Sequence, residues 1–481
     1  MPRGRVVVPR GARPGVRRAA RGRGRRRGAG GFALTRTSFL LLAGLAGTIL
    51  PLAALDSLRD GADLVLLLGP LATLAWGLLL WLGVRGTAPP LPVTVGLGVL
   101  LRGALLLPDE GLSDDVHRYV WEGRVLASGT SPYAHAPDDP LLAPLRDDVV
   151  WPRVTHKEVP AAYPPLAQAF FAGAASIGLG VLGLRAALVG VDLLVLFALV
   201  RLLRAAGEDP RLALAWGLSP LVLLEFAGSA HFDVLAVLFV VLAFLARARG
   251  RPVAAAAALG LATLAKPFAP VVLPFLLARR TWARQGFAFA AVVLAGMLPV
   301  VVGGGAFEGL GRYARDWSHN SLLHPATVEV LEAAKEASAR GLESVGAPEA
   351  WKRLAYAVDP NLASRVVLPA ILLAVVVLLW RRRGAPEPRA AWALGAFLLL
   401  APTVHPWYLT WFVPFLAFRP HPPLVVWSGT VLLSYHVLAT YDAVGVWREE
   451  RAMRVAEYAP VLLLLLWAAV RPRPRAAGTH G

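Results

Sequence analysis

The chain has 481 residues, 56% of them hydrophobic and 17% charged, with a net charge of +18 and no cysteine. An ordinary soluble domain is about 45–50% apolar and about 25% charged, so these values, with a mean hydropathy of +0.57, exclude a water-soluble globular protein and make lipid the main solvent. Without cysteine there are no disulfides, thiolate zinc sites or cysteine nucleophiles, and any chemistry falls to carboxylates, histidines and basic groups.

Twelve arginines and no acidic residue lie in residues 1–36, which hold two thirds of the net charge. This Arg/Gly/Pro-rich stretch has too few large apolar side chains to fold by burial. It reads as a disordered cytoplasmic tail under the positive-inside rule, and not as a nucleic-acid arm. Apolar runs follow at 38–54, 63–82, 91–107, 166–203, 212–230, 232–246, 253–278, 286–303, 366–380, 391–418, 424–441 and 457–470. Period-two alternation is absent, which disfavours a barrel, and backbone groups in lipid then require helices. The predicted fold class is an all-α polytopic membrane protein of eleven to fourteen transmembrane helices with two large extracytoplasmic loops.

The expected organisation is transmembrane helices over 37–107, a first extracytoplasmic and catalytic loop over 108–165, and further transmembrane helices over 166–305. A second extracytoplasmic loop then spans 306–365, transmembrane helices 366–470, and a short cytoplasmic tail 471–481. Arginine clusters at Arg201/Arg204/Arg211, Arg247/Arg249/Arg251, Arg279/Arg280/Arg284, Arg381/Arg382/Arg383/Arg389 and Arg471/Arg473/Arg475 mark the cytoplasmic side. Both termini then lie on the cytoplasmic side. The run 166–203 is long for its single net crossing, so 166–183 is expected to dip into the membrane or lie on it before the span begins.

The loop 108–165 reverses the local charge, with ten acidic and five Lys/Arg residues. Long connections of this kind carry function more often than they merely connect. On a helix starting at Asp114, the side chains of Asp115, Arg118 and Glu122 share one face. Read by itself, this is a capped helix with surface ion pairs. Convergence favours a site instead: His231 and Asp233, Lys266, the segment Trp317 to His324 and His405 all map to the same side as Asp114 and Asp115. An ionisable group at membrane depth is costly and marks function by default. Asp114 or Asp115 is predicted as a general base, with Lys266, His231, Arg118 and His405 as a cationic cradle for a leaving phosphate. Asp233, Arg124, Tyr133, Tyr163, His319, Trp407 and Tyr408 are predicted substrate contacts. No cofactor is assigned; a divalent metal ion held by histidines with Asp or Glu is the open alternative, though no spacing is metal-specific.

The segments S-D-D-V-x-R-Y-V-W-E-G-R-V at 113–125, G-x-S-P-Y at 129–133, Y-P-P-L-A-Q at 163–168, H-F-D at 231–233, Lys266-Pro267 and P-T-V-H-P-W-Y at 402–408 form an ordered set. The set resembles the polytopic C-type glycosyltransferase (GT-C) superfamily. Within it, the likeness is to bacterial polyprenyl-phosphate-mannose-dependent mannosyltransferases related to the glycosylphosphatidylinositol mannosyltransferase I family, and it covers about residues 90–420. The resemblance implies a polyprenyl-phosphate sugar donor used on the extracytoplasmic side, a glycolipid or glycan acceptor, and an acidic catalytic base that falls on Asp114 or Asp115. The hexose implied is mannose, transferred with inversion. His117 stands where a tyrosine is usual, Glu122 where an aspartate is usual, and two additional spans precede the catalytic loop. The competing class is a transporter or flippase of lipid-linked saccharides; its expected signature, an internal repeat, is absent from corresponding positions of the two halves. The partners expected are thus the donor, the acceptor and the bilayer, and not nucleic acid.

Overall fold

The structure, a computed structural model, describes residues 34–278, 280–305 and 307–470. The N-terminal tail to residue 33, Arg279, Ala306 and the tail 471–481, with its Arg471, Arg473 and Arg475, lie outside the described residues.

Helices α1 (Arg36–Ala53), α2 (Ala62–Leu82) and α3 (Leu91–Leu105) come first. Helix α4 (Asp115–Ala127) and helix α5 (Pro165–Ser176) flank the acidic connection, and α6 (Val181–Ala206) follows. Next come a broken pair, Pro210–Gly217 and Pro220–Gly228, bent by 52°, then α7 (Asp233–Ala248), α8 (Pro252–Ala265) and α9 (Trp282–Val302). The second polar segment folds into α10 (Glu308–Asp316), α11 (Leu323–Ser344) and α12 (Glu349–Ala357). The chain closes with α13 (Pro360–Arg381), α14 (Pro386–Leu400), α15 (Pro422–Val444) and α16 (Arg451–Val470). Among the described residues there are no strands, only two isolated bridges, Ser57 with Glu110 and His319 with Thr403.

The all-α polytopic architecture is therefore the one the sequence predicts. Among the described residues, seven helices are long and apolar enough to cross a membrane (α1, α2, α6, α9, α13, α15 and α16), and the broken pair makes an eighth if it is one span. The sequence count of eleven to fourteen is higher because it includes runs that fold short: α3 and α8 have 15 and 14 residues. A helix spanning the hydrocarbon needs about 20 residues. The run 166–203 resolves as two elements, with α5 ending at Ser176 and the long span α6 starting at Val181.

Four helices share one polarity. Helix α2 begins beside Arg59 and ends near Arg85; α7 begins at Asp233 and ends at Arg247 and Arg249. Near the start of α6, Arg185 donates to the carbonyl of Pro108 at 2.6 Å, and Arg201 and Arg204 lie in its last turns. In the first turns of α13, Arg365 donates to the carbonyl of Trp317 at 3.2 Å, and Arg381 closes the helix. At about 1.5 Å per residue, the two ends of α6 are about 39 Å apart. One end of the bundle thus gathers the acidic connection, and the other gathers arginines.

Two packing features fix that first end. Gly123 on α4 lets the backbone of α5 approach so closely that a Cβ there would lie 2.4 Å from the carbonyl oxygen of Phe171. Deeper in the bundle, Arg102 of α3 and Asp192 of α6 form a buried ion pair at 2.5 Å, and the indole of Trp216 donates to Asp192 at 2.6 Å. Every charge in this cluster has a partner, which burial demands.

Candidate active site

A cavity of about 630 Å³ opens at the acidic end of the bundle. Its wall brings together Asp114, Asp115, Arg118, Tyr163, Lys266, His319, His405, Trp407 and Tyr408, nine of the thirteen residues proposed from the sequence.

The two adjacent aspartates differ in setting. Asp114 accepts from Arg59 Nη1 at 2.5 Å, and the same guanidinium also grips Asp442 through Nε and Nη2 at 2.9 and 2.6 Å. Asp114 is thereby neutralised and occupied. Asp115, at the start of α4, is similarly exposed (27% against 33% for Asp114) but has no arginine on it, and accepts from the Tyr119 hydroxyl at 3.2 Å. Burial pushes its carboxyl above the usual carboxylate range, although Lys266 and the Tyr119 hydrogen bond pull the other way.

Lys266 follows α8, where Pro267 ends the helix, and its extended backbone sends the side chain into the cavity. Its Nζ lies 3.1 Å from Asp233 Oδ2 and over the rings of Phe232 and Tyr408, 4.5 and 4.9 Å from their centroids. Asp233 is fully buried and also accepts from the Trp411 indole at 2.8 Å. It anchors the lysine from behind and does not itself line the cavity. An ammonium has three donors, so two remain for a ligand.

The aromatic wall comes from the break between α14 and α15, where Pro402 and Pro406 prevent a continuous helix. Trp407 stacks on His405 at 4.3 Å and on His231 at 3.7 Å between ring centres, and Tyr408 bonds the Tyr313 hydroxyl at 2.6 Å. Burial, together with His319, His231 and Lys266, pushes the His405 imidazole well below its ordinary range, so it supplies a neutral N–H and not a charge. His319 Nδ1 meets Glu449 at 2.7 Å.

Four predicted residues stand elsewhere than expected. His231 is fully buried behind Trp407 and does not line the cavity; Asp233 backs Lys266. Arg124 points away, paired with Asp147 at 2.5 Å. Tyr133 donates to the carbonyl of Tyr163 at 2.7 Å and lines a second cavity of about 730 Å³ between α5, α8 and α9. Arg118 lines the first cavity, but its donors are committed: Nε to Glu122 at 2.7 Å, and Nη1 and Nη2 to the carbonyls of Thr155, His156, Val159 and Pro160. It clamps the loop wall and has little left for a phosphate.

Sequence reading missed Arg59, Asp442 and Glu449, which are brought in from 55 to 383 positions away along the chain. It also missed Glu225. That residue had a legible signal, as a lone carboxylate inside the apolar run 212–230. Three non-glycine residues among the described ones adopt positive φ, His156 (48°), Ala230 (62°) and Asn320 (49°). All three adjoin the site, where such backbone strain is commonly held. Among the described residues, no group of three or more His, Asp or Glu side chains is placed to hold a metal ion.

Residues 110–283 match the family model described as alpha-(1->6)-mannopyranosyltransferase, N-terminal domain. That stretch contains Asp114, Asp115, Asp233 and Lys266. No curated protein and no solved structure matches the chain. The match and the apolar helices together support a membrane mannosyltransferase, consistent with the GT-C resemblance.

Proposed function

We propose that the protein transfers mannose from a polyprenyl-phosphate donor to a mannose-containing lipid or polysaccharide acceptor at the extracytoplasmic face of a bacterial inner membrane, with both termini cytoplasmic. The observation that carries the reading is the cavity in which Asp115 faces Lys266 across an aromatic shelf. A carboxylate with an open face accepts the proton of an acceptor hydroxyl as its oxygen attacks the anomeric carbon. The bond from that carbon to the phosphate oxygen breaks, and polyprenyl phosphate departs with its charge met by the ammonium of Lys266 and the N–H of His405. One displacement inverts the anomeric centre, so an α-linked product requires a β-linked mannosyl phosphate. Trp407 and Tyr408, held by their stacks on His405, His231 and Trp411, bound the space left for the sugar.

Helix polarity supports this side. The cavity lies at one end of α2, α6, α7 and α13 and the arginines at the other, which supports an extracytoplasmic site under the positive-inside rule. The second cavity is walled by Leu261, Leu264, Val292 and Pro299 and reaches Pro165, next to Pro164 of the first. It suits the prenyl chain. In proteoliposomes, transfer of radiolabel from polyprenyl-phosphate mannose to an alkyl mannoside, with none from a nucleotide sugar, is the expected result; the reverse preference overturns the donor assignment.

A further inference from the structure

His231 has no exposed surface, and neither of its ring nitrogens has a hydrogen bond. A buried polar atom left unpaired costs about 1–3 kcal/mol, so such a ring calls for a reason. It lies between two carboxyl groups: Nδ1 is 4.0 Å from Asp115 Oδ2 and Nε2 is 3.4 Å from Glu225 Oε2. A hydrogen bond of this type spans about 2.7–3.2 Å, so both gaps are within about 1 Å of closing. The ring is held in plane by its stack on Trp407, and the left-handed backbone of Ala230 delivers it there. Glu225, also fully buried, accepts the Tyr435 hydroxyl at 2.9 and 3.1 Å.

We propose that Glu225 and His231 are positioning residues for Asp115: the protonated carboxyl of Glu225 donates to His231 Nε2, which fixes the proton on Nδ1, and Nδ1–H aims at Asp115 Oδ2. The second oxygen of Asp115 is then oriented toward the acceptor hydroxyl. No proton passes along this chain of contacts; the acceptor's proton ends on Asp115. Glu225 is the donor because an unpaired ionised carboxylate in an apolar interior neutralises itself, and Lys266 is engaged by Asp233 instead. The groups facing Asp115 are Lys266, Arg118, Tyr119, Asp233 and His231, with Glu122 and Tyr163 behind; those facing Glu225 are Tyr435, His231 and Asp233. The inference rests on the reading of Asp115 as base.

Two measurements test it. In the transfer assay, Glu225→Ala is expected to lower kcat by up to about hundredfold, the cost of misplacing a reacting group by about 1 Å, with KM little changed. It should also move the acidic limb of the pH profile upward, because Asp115 loses a donor to its charged form. Glu225→Gln, whose amide N–H replaces the carboxyl donor, is expected to recover at least tenfold where the alanine loss allows. A glutamine variant as impaired as alanine, or an alanine variant with wild-type kcat and pH profile, overturns the proposal. Asp115→Asn separates the two claims: if it is inactive while Glu225→Ala is normal, only the positioning role fails. Independently of substrate, infrared difference spectra of wild type against Glu225→Gln at neutral pH should show a buried protonated carboxyl band that the variant lacks. Its absence from wild type overturns the donor role.

Discussion

Lys266 has two duties in this account, partner of a buried carboxylate and receiver of a leaving phosphate, and they separate by substitution. Lys266→Met leaves Asp233, which has no exposed surface, with the Trp411 indole at 2.8 Å and a backbone N–H but no cation. Removing one member of a buried ion pair typically costs about 3–5 kcal/mol. Neutralising the partner as well, in Lys266→Met/Asp233→Asn, keeps an acceptor for Trp411 and removes the stranded charge, so most of that loss should return. Activity should not return with it: loss of a preorganised charge at the leaving group costs about 10²–10³ in kcat. The assay is thermal unfolding in nanodiscs alongside transfer from polyprenyl-phosphate mannose. A double variant that regains both stability and activity would show that Lys266 serves only to neutralise Asp233, and the phosphate role would be wrong.

Three further outcomes are expected. Arg118→Ala strands Glu122 with Gln168 and frees the carbonyls of residues 155–160, so it should lower unfolding stability by about 3–5 kcal/mol, as read by thermal unfolding, where loss of a phosphate contact alone would leave stability intact. Glu449 lies in a buried setting that opposes ionisation, yet its hydrogen bond to His319 and the nearby Arg454 hold it at about 2. A depressed carboxyl stabilises the fold above its ordinary pKa near 4.5, and that stabilisation is lost as pH falls from there through about 2; acid unfolding of Glu449→Gln should be flatter across that window than wild type. Gly123→Ala drives a methyl group against the Phe171 carbonyl and should cost about 1–3 kcal/mol and broaden the unfolding of the α4–α5 unit, measurable by hydrogen exchange.

Much of the fold is legible in the sequence, because apolar runs without charge have one outcome in lipid. The breaks at Lys266-Pro267 and at His405-Pro406 are legible too, since proline stops a helix and leaves polar side chains at its end. The span count is less so: hydropathy does not distinguish a full crossing from α3 or α8, which stop at 15 and 14 residues. Within the site, residue type picks out Lys266, Trp407, Tyr408 and the pair Asp114 and Asp115, but neither chooses between the two aspartates nor shows how each residue is engaged. Arg118 looks like a phosphate ligand until its contacts to four loop carbonyls are seen, and His231 looks like a cavity residue until Trp407 covers it. Arg59, 55 residues from Asp114 and 383 from Asp442, has no periodic signal at all, because a contact over that separation is made by helix packing.

Asp115 and Asp114 are adjacent in sequence and both line the cavity, but they are opposite in assignment, because only Asp114 is held by Arg59. Single-turnover transfer by Asp115→Asn and Asp114→Asn in reconstituted vesicles tests this most directly. The account predicts a loss of about 10²–10⁴ for Asp115→Asn and less than about tenfold for Asp114→Asn. Wild-type transfer by Asp115→Asn, or the larger loss in Asp114→Asn, would contradict it.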